Sequence, residues 1–306
     1  MNRQYVWKGL DTDITTTRTV DEALDLAHLN WGVRKEPCFD MRNRQVADTW
    51  LIVRDTDNYV LGPVGNRYVP AAPKQGMAFM GDVMNIAEKD GFRMASAGML
   101  NGGRRIWMNA KGPSHDILGH PYDPYFIFTT SFDGSSGSEL INSITCPICT
   151  NTLDMARSNA TRKYVVRHTA RLEDRVRQAM EAFASNTSYF DEMTKKAEKY
   201  AKRRITRSEF MMMTNELFGE EDLQTDRQKG NALHLKGQFM EALRRPDLEN
   251  FKSTAWHMFN AMGDFASHMT PVRKTRNWEE NRLISFMDGN EWLLKTEKML
   301  DELVAA

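Results

Sequence analysis

This sequence of 306 residues has few cysteines, no long apolar segment and no net charge. Its three cysteines, Cys38, Cys146 and Cys149, are too few, and odd in number, for a disulfide framework. No run approaches the roughly eighteen apolar residues of a transmembrane helix, and residues 1–8 lack the apolar segment of a secretory signal. From these absences we expect a soluble cytoplasmic protein without a membrane partner. The chain as a whole is neutral, with 41 basic and 41 acidic residues.

The usual motifs of nucleotide-dependent and hydrolytic enzymes are also missing. The sequence has no phosphate-binding loop, no dinucleotide fingerprint and no Gly-x-Ser-x-Gly elbow. Cys146 and Cys149 have the spacing of half a zinc site, but the only further ligands would be Cys38 and a histidine such as His168. We therefore predict no metal, no cofactor and no catalytic residue. The histidines and aspartates of residues 115–123 leave a metal-dependent enzyme as one alternative.

Periodicity and turn residues predict an α+β fold, with a mainly antiparallel sheet of β-hairpins and a packed helix in the N-terminal half and helices in the C-terminal half. The predicted hairpins pair residues 50–54 with 59–61, residues 92–100 with 104–111, and residues 125–132 with 138–145. The predicted helices cover residues 19–31, 76–90 and 171–184, and residues 112–124 are predicted to form an exposed loop.

Positive charge is concentrated in one part of this neutral chain. Between residues 157 and 177, seven basic residues face two acidic ones, an excess of five charges. Charge that is balanced overall but segregated locally favours a polyanion partner, and nucleic acid is the common one. The basic residues are Arg157, Arg162, Lys163, Arg167, Arg171, Arg175 and Arg177, and the acidic ones are Glu173 and Asp174.

The predicted hairpin at residues 92–111 adds arginines and an aromatic ring to this charge. Arg105 and Trp107 are two residues apart on a strand, so they share one face, which we expect to line a nucleic-acid groove, while Arg104 points the other way. Single-strand binding combines such cations with stacking rings. The candidate phosphate contacts are Arg67, Arg93, Arg104, Arg105, Lys111, Arg162, Lys163, Arg167 and Arg171, and the candidate stacking residues are Trp107 and Tyr164.

Several sequence blocks in a fixed order carry a family resemblance. They are GNRYVP at residues 65–70, SAGMLNGGRRIW at 96–107, TTSFDGS at 129–135, CTNTL at 149–153 and VRHT at 166–169. Residues 254–260 and His268 match the family more weakly. By these blocks the chain resembles the phage/plasmid-like protein family, mobile-element proteins with a domain of unknown function. Phe132 stands where a histidine often follows the Thr-Thr-Ser, which argues against essential chemistry there.

A more distant resemblance suggests a function. The predicted order of elements is a hairpin, a helix, further hairpins and a basic helix. This order resembles the core of single-strand annealing recombinases of the RecT, Red-beta and Erf groups. The resemblance implies an ATP-independent protein that binds and anneals single-stranded DNA in phage or plasmid recombination inside a bacterial host cell. It also implies rings or filaments of identical subunits, and a phage exonuclease or single-strand binding protein as a further partner. The alternative is a non-enzymatic interaction or regulatory protein that binds a host or phage partner.

These interpretations divide the chain in two. Residues 1–190 are expected to form the α+β core with the nucleic-acid-binding region. Residues 191–306 are expected to form a helical region for oligomer or partner contacts.

Overall fold

The computed structural model describes residues 7–145, 152–153, 163–165, 172–219 and 223–305. Antiparallel sheets occupy its N-terminal half and helices its C-terminal half. The predicted α+β fold is therefore confirmed.

Strands dominate the first part of the chain, with two helices among them. The elements are β1 (Thr12–Asp13), α1 (Val20–Leu26), β2 (Val33–Phe39), β3 (Gln45–Arg54), β4 (Val60–Gly65), α2 (Pro73–Ala87), β5 (Arg93–Leu100), β6 (Arg105–Lys111), β7 (His115–Ile117), β8 (His120–Ser131), β9 (Glu139–Thr145), β10 (Thr152–Leu153) and β11 (Lys163–Val165). Helices follow: α3 (Leu172–Lys202), α4 (Arg207–Phe218), α5 (Asp226–Ala242), α6 (Ala255–His268), α7 (Trp278–Asp288) and α8 (Glu291–Ala305).

Two antiparallel sheets organise these strands. The large sheet has the order β1-β5-β6-β8-β9, with β10 and β11 also paired to β9 and β7 paired to β8. The small sheet has the order β2-β3-β4. All three predicted hairpins are present, as β3–β4, β5–β6 and β8–β9.

The predicted exposed loop at residues 112–124 is wrong. It contains β7 and the start of β8, joined by a turn in which Leu118 and Gly119 have positive φ. Ile117 and Tyr122 are buried and pack among the C-terminal helices. The prolines of this segment suggested a loop, but the burial of its apolar side chains outweighs them.

The predicted helices are present with shifted ends. α1 is shorter than the predicted residues 19–31, and its N-cap is Thr19, whose Oγ1 accepts from the Glu22 N–H at 3.2 Å. α2 continues into a turn of 3-10 helix that ends at Gly91, which has a left-handed φ of 85°.

Helices cover the large sheet on both faces. On one face, Met80 and Val83 of α2 and Ala179 of α3 belong to a core with Phe126 and Phe128 of β8. On the other face, α7 contributes its apolar side to a second core with the large sheet. The members of that core are Leu283, Phe286, Met287, Trp107, Tyr125, Ile127 and Ile141, together with Trp7 and Leu100.

α3 is a single helix that connects the sheet to the helical half. It packs against α2 and later against α6 and α8, and Lys196 forms ion pairs with Glu297 and, at 2.9 Å, with Asp301 of α8. The boundary expected near residue 190 lies inside this helix. No helix within the described residues has both the length and the apolar character to cross a bilayer.

The burial of His257 in the helical core can be tested by the pH dependence of stability. His257 is 9% exposed, and its Nε2 donates to the Leu243 carbonyl at 3.0 Å. Burial lowers the pKa of His257 below its ordinary value, so the unfolded chain binds a proton more readily than the folded one. We expect the free energy of unfolding to fall as pH drops below about 6.5, by at most about 1.4 kcal/mol per pH unit from this group.

The His257→Gln variant keeps a donor for Leu243 without a titrating ring. Urea unfolding at several pH values should give a shallower decline than in the wild type. His234→Gln is the control, because His234 is exposed and bonds a carbonyl in a similar way. Equal pH dependence in wild type and His257→Gln would contradict the prediction.

Candidate nucleic-acid interface

The turn between β5 and β6 has three successive residues in the left-handed region. Asn101, Gly102 and Gly103 have φ values of 51°, 70° and 97°. A Cβ on Gly102 would lie 2.8 Å from the Tyr59 hydroxyl, and one on Gly103 would lie 2.8 Å from Arg54 Nη1. Both the backbone conformation and the close neighbours therefore require glycine at the two positions.

Arg54 of the small sheet holds this turn in place. Its Nη1 donates to the Gly102 carbonyl at 3.1 Å, while Nε and Nη2 bind the two carboxylate oxygens of Asp57 at 2.8 and 2.7 Å. The guanidinium also lies 5.5 Å from the ring centroid of Trp31 and 5.1 Å from that of Tyr59. Its hydrogen bonds lower the pKa of Asp57 to about 2. The guanidinium therefore stays paired with a carboxylate and joins the two sheets.

α7 approaches the turn from the other side. The carboxylate of Glu280, in the first turn of α7, accepts from the backbone N–H of Asn101 at 2.6 Å. The start of this helix is therefore fixed against the β5–β6 turn.

Arg105 and Trp107 share one face of β6, as alternation predicts, but α7 covers that face. Their exposures are 5% and 0%. Arg105 Nε donates to Thr129 Oγ1 at 2.9 Å and its Nη1 to Asp288 at 2.9 Å, and Trp107 packs 6.4 Å from Trp7. The prediction that this pair faces an open groove is wrong. Strand alternation shows that the two side chains share one face of the sheet, but it does not show which element covers that face.

Arg67, Arg93 and Arg104 are exposed. Arg93 Nη1 donates to the carbonyls of Glu88 and Phe92 at 3.0 and 2.6 Å, at the end of the turn that follows α2. No ion pair of Arg67 or Arg104 occurs within the described residues. These two arginines remain available for an anionic partner.

Lys111 and Lys163 are paired with carboxylates. Lys111 Nζ lies 2.7 Å from Asp123, whose side chain is fully buried, and Lys163 Nζ lies 3.2 Å from Glu139. Their positive charge is therefore largely neutralised, and a phosphate would have to displace a carboxylate to contact either one.

Tyr164 is half-buried and its ring is stacked on Phe79, with the centroids 6.3 Å apart and the planes at 4°. Its hydroxyl donates to Glu181 at 2.9 Å. One face of the ring is thus occupied by protein. The remaining candidates, Arg162, Arg167 and Arg171, lie outside the described residues.

The candidates on the β5–β6 hairpin do not form one patch. Arg93 and Lys111 are paired across one end of the hairpin, and Arg104 belongs to the turn at the other end. The length of β5 separates these ends by about 23 Å.

A further cationic segment, which was not among the predicted site residues, directly precedes α7. Arg273, Lys274 and Arg276 are exposed, and none has an ion pair among the described residues. Lys274 Nζ lies 4.7 Å from the ring centroid of Trp278, and the guanidinium of Arg282 lies 5.0 Å from it. We call residues 273–276 the basic segment. Three cations in four residues are visible in the sequence, and only their position required the structure.

The basic segment is linked to the turn that carries Arg104 through the first turn of α7. Glu280, which binds Asn101, is four residues after Arg276, so their Cα atoms are at most about 14 Å apart. The region where α7 begins therefore includes Arg104, in the turn, and the three cations of the basic segment. Nearby, Glu279 and Glu280 supply two carboxylates, and Glu280 is engaged by the turn. We call this the turn–α7 surface.

Comparison with known proteins places the chain in a family. The family described as Domain of unknown function (DUF932) matches residues 60–286. The chain belongs to the DUF932 family. The matched region includes both the turn and the basic segment. No curated protein and no solved structure matches the chain.

The described part of this DUF932 protein contains no group of three metal-ligating side chains. In the segment suggested as a metal site, His115 packs 4.4 Å from the ring centroid of Phe190, and Asp116 accepts from the Gly119 N–H at 2.8 Å. Cys146 and Cys149 lie outside the described residues.

The glycines of the turn provide a test of its geometry. Gly103→Ala should lower the free energy of unfolding by about 2 kcal/mol or more, because φ is positive and Arg54 occupies the space for a Cβ. Gly119→Ala is the matched control, since Gly119 has a similar φ of 82° but nothing within 4 Å. Equal losses for the two variants in urea unfolding would mean that the Arg54 contact imposes no cost.

Separate substitutions of two adjacent arginines test which of them stabilises the fold and which lies free on the surface. Arg105→Ala removes a buried side chain with its hydrogen bond to Thr129 and its ion pair to the half-exposed Asp288, and should cost about 2 kcal/mol of unfolding free energy. Arg104→Ala removes an exposed side chain and should change it by less than about 0.5 kcal/mol. The two variants can be compared by urea or thermal unfolding. A negligible loss for Arg105→Ala would contradict its structural assignment.

Proposed function

We propose that this DUF932 protein is a non-enzymatic, ATP-independent protein that binds and anneals single-stranded DNA in phage or plasmid recombination inside a bacterial cell. The observation that carries the proposal is the turn–α7 surface, where four exposed cations lack ion pairs within the described residues. Unpaired cations on a preformed surface favour a polyanion over a neutral ligand.

The cations act on the phosphate backbone and not on base edges. Their contacts would be independent of sequence and sensitive to salt, since each neutralised phosphate releases counterions. Arg54 and Glu280 fix the turn and the start of α7, so part of the surface is ordered before a strand binds. An ordered surface loses less conformational entropy on binding.

Annealing adds a requirement for length. A strand held for pairing needs a long continuous track, and the turn–α7 surface of one chain contributes only a short part of it. The proposed protein therefore acts as a ring or filament of identical subunits. The recombination context rests on the resemblance to phage/plasmid-like proteins and, more distantly, to the RecT, Red-beta and Erf groups.

Oligonucleotide binding tests the proposal. Fluorescence anisotropy with labelled single strands should show affinity that falls steeply with salt, without added nucleotide. Replacing Arg273, Lys274 and Arg276 together by alanine should reduce the slope of log K against log salt by about 2, at about 0.7 per phosphate contact on a single strand.

The control replaces three exposed cations of the C-terminal helical region, Arg227, Lys229 and Arg244, by alanine. It removes the same charge and should leave the slope near the wild-type value. No binding by the wild type at low salt would refute the proposal. Equal slopes for the two triple variants would place the binding surface elsewhere, provided that both unfold at the wild-type temperature.

A further inference from the structure

The β2–β3 hairpin ends in a preformed tip, residues 39–44. Asp40 Oδ1 accepts from the backbone N–H groups of Arg42 and Arg44, both at 2.9 Å, and the Asp40 N–H donates to the Arg44 carbonyl at 2.9 Å. Asn43 takes the left-handed conformation that closes the turn, with φ at 55°. These bonds hold the tip in one shape without help from the rest of the chain.

The tip presents an apolar side chain beside a free cation. Met41 is fully exposed, and Phe39 and Val46 nearby are also exposed. Arg44 is paired with Asp40 at 2.7 Å, whereas Arg42 is exposed and has no ion pair among the described residues. Apolar groups on a rigid protrusion are typical of a protein contact.

A cleft of about 690 Å³ lies at the base of the same hairpin. Its lining includes the apolar side chains of Trp31, Ala72 and Ala78 and the carboxylates of Asp21 and Asp55.

The two carboxylates of the cleft differ in their partners. Asp21 is paired with Lys74 at 2.6 Å. Asp55 accepts from the Gly32 N–H at 2.8 Å, and no cation pairs with it in the described residues. The indole N–H of Trp31 is buried without a hydrogen-bond partner. The cleft therefore offers apolar side chains and an unpaired carboxylate.

We propose that the tip of one copy docks in the cleft of the next, with Met41 against the apolar side chains of the cleft and Arg42 facing Asp55. A second copy is the occupant because this chain carries both complementary halves, an unpaired cation with an exposed methionine and an unpaired carboxylate with an apolar cleft.

The tip cannot reach the cleft of its own chain. The cleft borders Gly32 and Asp55, at the base of the hairpin, and β2 extends about 23 Å from there to the tip. The contact joins two different surfaces of the chain, so that its repetition in one direction generates a ring or an open filament. This proposal rests on the proposed function in one respect only, the assembly of identical subunits. It specifies the contact that would form that assembly.

Charge reversal at each half tests the pairing. Arg42→Glu alone and Asp55→Lys alone each place like charges together, and the association constant should fall about tenfold or more. An equimolar mixture of the two variants restores an opposite pair at every contact and should reassemble. The mass in solution is measured by light scattering and sedimentation, without nucleic acid.

Arg244→Glu is the control, because it reverses an equally exposed charge on another part of the molecule. A wild type that stays monomeric at all concentrations overturns the proposal, as does an Arg42→Glu variant that assembles like the wild type. Separate variants that dissociate but do not reassemble when mixed also overturn the pairing. If Asp55→Lys does not fold, Met41→Asp combined with Arg42→Glu decides the question, because both residues are exposed.

The oligonucleotide assay separates this proposal from the previous one. Arg42 is outside the turn–α7 surface, so the dissociated Arg42→Glu protein should still bind single strands at low salt. Assembly that depends on Arg42 and Asp55 without any strand binding would uphold the interface and refute the proposed function. Salt-dependent binding by a protein that never assembles would refute the interface and uphold strand binding, but it would remove the ring or filament that annealing requires.

Discussion

The burial of the large sheet on both faces is the constraint on which the rest of the structure depends. β6 from Arg105 to Ala110 and β8 from Tyr122 to Ser131 are buried throughout. Such strands cannot present side chains to a large partner, because α2 and α3 cover one face and α7 the other. Groups that meet a partner are therefore restricted to turns, edges and helix ends, which is where the unpaired arginines lie.

The sequence blocks that carry the family resemblance meet around this sheet. Tyr68, from the block at residues 65–70, donates its hydroxyl to the Ser131 carbonyl at 3.1 Å. Thr129 receives a hydrogen bond from Arg105, and both belong to such blocks. Several of the shared residues thus have structural roles, and a buried arginine in such a block is not in itself a sign of ligand binding.

Local patterns predicted the hairpins and α2, because strand alternation, the Asn-Gly-Gly turn and helical spacing act over a few residues. The same patterns could not predict which face of β6 is covered. That depends on Asp288 and Glu280, far along the chain from Arg105 and Asn101. The basic segment was visible as a cluster of charge, but its place beside the turn follows from the same long-range contact.

The two proposed surfaces share a physical connection through Arg54 and Trp31. Trp31 lines the cleft and also supports the Arg54 guanidinium, which binds the turn carrying Arg104. Asp55, the proposed partner of Arg42, directly follows Arg54. A substitution at Trp31 or Arg54 would therefore disturb both the cleft and the turn, whereas Arg42 and Arg276 each belong to only one of the two proposed surfaces.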